Sequence, residues 1–155
     1  MRRSFALGLA LCLLVEVIAH SAVRGREAKY VGGTVAGLSE NTDGEMELAE
    51  KSAEFAAKTG TKLTIPYEKI DSLEYGQKAG RRLGLAVAIS PLFLLSKKRR
   101  HFLTINFEDQ AGKKQGEVFE LAKGIVHEVL STLEAKSGKQ VEYESDEARK
   151  HAGTH

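Results

Sequence analysis

Between Tyr75 and Phe107 the chain carries Lys78, Arg81, Arg82, Lys97, Lys98, Arg99 and Arg100 and not one Asp or Glu. The two basic clusters bracket the apolar stretch Leu83 to Leu95, so pairing of the strands that carry them brings both to one edge. Such an edge makes and breaks no bonds. It attracts anions, and each basic residue held near charged lipid contributes about 1 kcal/mol. The same geometry suits an acidic protein. The expected partner is therefore an anionic membrane surface or an acidic protein, met through these seven side chains. A competing expectation makes Leu83 to Leu95 ordinary core and Lys97 to Arg100 a solvated turn that keeps an edge strand from aggregating.

No other group of residues has the spacing of a reactive site. His151 and His155 lie four apart in a polar tail without a helical pattern, which does not make a metal site. His127 falls beside a helical apolar stripe and reads as a partly buried packing residue, and His101 stands apart from the others. Ser and Asp residues lack a nucleophile elbow or triad signature. Gly32-Gly33 and Gly37 lack the Lys-Ser/Thr pair and following helix of a phosphate loop, and read as a bulge and a turn. Glu45, Glu47, Glu50 and Glu54 read as a solvated strand face rather than a calcium loop. No catalytic residue, metal or cofactor is expected, and the chain reads as a non-enzymatic interaction module.

Arg2 and Arg3 precede an apolar run from Phe5 to Val15, and small residues follow at Ala19, Ser21 and Ala22, the order of a secretory signal. Removal of residues 1–22 is expected, with a secreted or periplasmic product. The alternative is a protein tethered to the membrane by an uncleaved segment reaching Ile18. Cys12, the single cysteine, lies in this segment behind Leu11, which does not suit lipidation. The mature chain then offers no thiol for nucleophilic, zinc or disulfide chemistry. It carries 21 basic and 20 acidic side chains, so only the local segregation of charge speaks about partners. Nucleic acid is not expected among them, because an exported chain rarely meets it and no aromatic stacking platform accompanies the basic run.

The elements that must position these residues follow from periodicity. The 155 residues are 42% hydrophobic and 28% charged, which points to one globular domain. From Lys29 to Leu121 apolar residues recur mostly with period two in short runs separated by Gly or polar turns, as in an antiparallel sheet. Pro66 predicts an edge position or a bend. Ser90-Pro91 predicts a short helical turn from Leu92 to Lys97. The runs around Leu103 to Phe107 and Val118 to Leu121 predict a hairpin. After Gly124 the period changes: Ile125, Val126, Val129, Leu130 and Leu133 share one helical face, and Ser137-Gly138 ends the helix. Val141 and Tyr143 predict a last short extension, and residues 144–155 a disordered tail.

The stretch from Thr64 to Gly76, with Ile65-Pro66-Tyr67, Ile70, Ser72 and Tyr75, resembles the middle strand and turn of pleckstrin-homology-like and GRAM-like modules. The order of strands followed by one C-terminal helix is similar as well. The blocks Lys97 to Ile105 and Leu133 to Lys139 are similar to uncharacterised exported bacterial proteins of this kind. Over residues 29–143 the resemblance implies a mainly β fold, a curled and partly open seven-stranded antiparallel barrel with a C-terminal helix, a small β-sandwich being the alternative. It carries over no ligand. The function expected is binding to an anionic surface through the basic edge; the alternative is a structural or assembly protein that pairs through an exposed strand edge.

Overall fold

The computed structural model describes residues 26–77 and 100–153. The expectations for the signal segment, the strand at Leu83 to Ile89, the helical turn at Leu92 to Lys97 and His155 lie outside the described residues. Alternation of apolar and polar residues produces β1 (Glu27–Gly33), β2 (Thr42–Leu48), β3 (Ser52–Ala57), β4 (Lys62–Pro66), β5 (Ile70–Gly76), β6 (His101–Glu108) and β7 (Lys114–Leu121). In β2, for example, Met46 is buried while Glu45 and Glu47 are exposed, as a half-buried strand requires. These strands are followed by α1 (Val126–Ser137), β8 (Val141–Tyr143) and α2 (Asp146–His151).

The strands form one open, eight-stranded sheet in the order β4-β3-β2-β1-β7-β6-β5-β8. The expected count of seven antiparallel strands is thus corrected to eight among the described residues, and β8 runs parallel to β5. The reason is the connection. β7 already runs parallel to β5, and α1 carries the chain back along the sheet so that β8 starts in the direction of β7. The expected hairpin of β6 with β7 is present, from His101 opposite Leu121 to Glu108 opposite Lys114.

The sheet also curls. Six steps along that strand order separate β4 from β5, about 29 Å in a flat sheet at the usual strand spacing. Yet only the 3-10 turn Tyr67–Lys69 joins them, a link that reaches about 13 Å at most. Pro66 stands at this corner, at the end of an edge strand, where its missing N–H costs no ladder bond. Curling brings the concave faces of all eight strands into one core with α1, which contributes Val126, Val129, Leu130 and Leu133. The helix stops at Gly138, whose φ of 70° is the left-handed cap that glycine adopts without strain.

Residues 144–153 are structured, contrary to the expected tail. Glu144 donates its N–H to Tyr75 O at 2.9 Å, and α2 with its C-cap residue buries Ala148 and Ala152 against the core. Two alanines four apart are too small a stripe to register as an apolar period, which is why the sequence reads as polar. Ser145 caps α2 by accepting from Ala148 N at 3.1 Å. Ser145→Ala is expected to cost about 1 kcal/mol, measured as faster amide hydrogen exchange confined to residues 146–151.

Candidate functional site

Of the seven basic residues singled out in the sequence, Lys78, Arg81, Arg82, Lys97, Lys98 and Arg99 lie outside the described residues. Arg100 directly precedes β6, and its guanidinium donates to Glu120 of β7 at 2.9 Å. Beside this pair a depression of about 460 Å³ is bordered by Lys29, Asp43 and Lys58, with Lys29 and Asp43 paired at 3.2 Å. The two ends of the basic segment are brought together by the sheet: Gly76 of β5 pairs with Phe102 of β6.

A second cluster is built on β7. Alternation puts Glu117 on the same concave face as Phe119 and Leu121, and it is fully buried. Its carboxylate accepts from the Tyr30 hydroxyl at 2.6 Å and from the backbone N–H groups of Thr34 and Val35 at 3.1 and 3.0 Å. Burial raises the Glu117 carboxyl above its ordinary range, against the pull of these donors. Burial, reinforced by the carboxylate, pushes the Tyr30 phenol far upward, so Tyr30 stays a donor. Gly33 lies directly opposite, where any Cβ would collide with the Glu117 carboxylate. The bulge between Tyr30 and Gly32, as the paired glycines predict, re-aims the end of β1 so that residues 34–35 reach this carboxylate.

Above the cluster, at one end of the curled sheet, a cleft of about 650 Å³ opens between loop 34–36, β4, the 3-10 turn and the β6–β7 hairpin. Thr34 and Gln115 belong to both the cluster and the cleft: Thr34 Oγ1 donates to Gln115 Oε1 at 2.5 Å. Neither the cluster nor the cleft figures in the expectations from sequence. The readable signal was Glu117 itself, an acid placed two and four residues before the apolar Phe119 and Leu121 on one strand face.

The histidines among the described residues do not form a cluster of metal ligands. His101 Nδ1 shares a hydrogen bond with the Tyr75 hydroxyl at 2.5 Å, with the rings stacked at 6.1 Å. Burial, then the charges of His151 and Lys123, hold the His101 imidazole below its usual value. His127, expected to be partly buried, is exposed on α1, because the apolar stripe turns away from it. Among the described residues no three His, Cys, Asp or Glu side chains converge as metal ligands, and no helix is long and apolar enough to cross a membrane. No family model matches the chain, and no curated protein matches it.

Proposed function

We propose that the protein is an exported, non-enzymatic interaction module, a pleckstrin-homology-like barrel that meets an anionic membrane surface through the basic segment ending at Arg100. The observation that supports this reading best is the register of β5 with β6. Gln77 and Arg100 are the described residues that bound the segment, and the pairing of Gly76 with Phe102 sets these two bounding positions at the same end of adjacent strands, about 5 Å apart. The Arg100–Glu120 pair ties that end to β7. Assembly through a strand edge is the weaker reading: among the described residues β4 stands at one end of the sheet, but it is five residues long, ends at Pro66 and carries Lys62, the features by which sheets discourage such pairing.

Co-sedimentation of the full chain with phosphatidylglycerol-containing and with pure phosphatidylcholine vesicles tests the proposal. Binding only to the anionic vesicles, lost at high salt, is the expected result. Neutralising Lys97, Lys98 and Arg99 to Gln removes about 3 kcal/mol, so affinity falls about 100-fold with no change in thermal stability. Equal binding to both vesicles, or an unchanged triple variant, overturns it.

A further inference from the structure

The C-terminal residues run from β5, where Glu144 bonds Tyr75, to α1, where Gly153 lies against His127. We propose that they form a proton-operated latch: protonation of the His101 imidazole releases Glu144 to Ala152 from the sheet as one unit. The apolar anchor of α2 and its C-cap residue is two methyl groups, those of Ala148 and Ala152. Burial that small leaves a docked segment at the low end of local stability. The other attachments converge on Tyr75. Its carbonyl accepts the Glu144 N–H, its ring packs edge-on against Tyr143 at 5.9 Å, and Arg149 of α2 lies 5.1 Å above the Tyr143 ring. The same Tyr75 ring stacks on His101, and its hydroxyl is bonded to His101 Nδ1.

Neutral His101 is part of the lock. Tyr75 is buried, and burial pushes its phenol up to about 12, so it remains a hydroxyl that needs an acceptor. His101 Nδ1 supplies that acceptor, which places the imidazole proton on Nε2. A second proton on Nδ1 turns it into a donor and leaves the Tyr75 O–H without its acceptor. The new charge also faces its own sign. His151 of α2 and Lys123 of the 3-10 turn Lys123–Ile125 oppose it, while Glu120 of β7 favours it. α2 carries Arg149 and Lys150 beside His151 in its last turn, against Asp146 and Glu147 in its first, and His127 faces Gly153 from α1. Burial and the charges of His151 and Lys123 hold the docked imidazole below its usual value. Docking is therefore favoured above the ordinary imidazole value and is lost as pH falls through the lowered one. Glu144 also accepts the Gln77 N–H at 3.0 Å, so release reaches the last described residue before the basic segment. It does so whether or not that segment meets a membrane.

Hydrogen exchange of the full chain at about pH 7.5 and about pH 5, a span across which imidazoles gain their charge, tests the latch. Rates are expressed as protection factors, which removes the intrinsic pH dependence of exchange. Glu147, held low by backbone and Ser145 donors, keeps its charge at the lower pH, so the first turn of α2 stays acidic. In the natural chain the protection of Gln77, Glu144 and residues 148–152 is expected to fall about tenfold on acidification. His101→Gln keeps an acceptor for the Tyr75 hydroxyl but does not titrate, and its protection is expected to stay flat. His101→Lys carries a fixed charge and is expected to show the low protection already at the higher pH. Should these variants fold poorly, His101→Phe with Tyr75→Phe keeps both rings, removes the polar pair and is expected to be flat as well. Unchanged protection in the natural chain, a loss spread evenly over all the strands, or a full pH response retained by the variants that cannot titrate overturns the proposal.

Discussion

Replacing Glu117 by Ala is expected to lower the free energy of unfolding by about 3 kcal/mol, because it strands the Tyr30 hydroxyl and two backbone N–H groups that the carboxylate now satisfies. The same residue shapes the pH dependence. Its folded-state carboxyl is raised by burial, so the folded chain binds more protons than the unfolded one between the ordinary carboxyl value and the raised one. The stability this residue contributes is therefore fully present below the ordinary value and is lost as pH climbs through the raised one. Glu54, Asp109 and Glu147 work in the opposite sense at more acidic pH, since partners lower their values: Lys62 for Glu54, Gln115 for Asp109, and backbone and Ser145 donors for Glu147. Urea midpoints measured across pH for the natural chain and for Glu117→Gln separate the two. The difference between the curves is expected to shrink toward acid and widen toward neutral pH in favour of Gln; parallel curves would refute the assignment. Because Glu117 also holds loop 34–36, the Ala variant is expected to broaden the amide signals of Thr34 and Val35.

Phe119→Ala is expected to cost about 3–5 kcal/mol, measured by urea unfolding. Phe119 is fully buried and its ring lies 5.3 Å from that of Phe55 and 5.8 Å from that of Tyr30, the last two being 6.2 Å apart. This triad joins β1, β3 and β7 across the concave face, so truncating one ring opens a cavity that strands on three sides cannot close together. Phe119→Leu keeps most of the volume and is expected to cost under about 1.5 kcal/mol. Tyr30 belongs to both the triad and the Glu117 cluster. The double variant Glu117→Ala/Phe119→Ala is therefore expected to lose less than the sum of the single losses. Strict additivity would mean that the aromatic core and the polar cluster beneath the cleft are independent.

The candidate sites were legible to different degrees. Charge segregation between Tyr75 and Phe107 is a linear pattern and needs no structure to be seen; that its two roots meet requires the β5–β6 register. Glu117 was visible as an acid on an apolar strand face, but its meaning was not. Tyr30, its closest donor, is 87 residues away in the chain, and nothing local announces that β1 will lie beside β7. The cleft is still less local, since its lining comes from three separate parts of the chain.

What the amino-acid sequence determined by itself are the properties that repeat over a few residues. Among the described residues the period-two runs became β1 to β7, the period of 3.6 became α1, and Ser137-Gly138 ended it where a left-handed cap was possible. Pro66 marked the corner for an equally local reason, its missing donor. Tertiary structure alone decided the strand order, the parallel docking of β8 on β5, the ordering of α2 around two alanines, and the burial of Glu117. Each of these depends on which distant segments become neighbours. That choice is made by the shared core of the whole chain, which repays the entropy of closing long loops only after all the strands are in place.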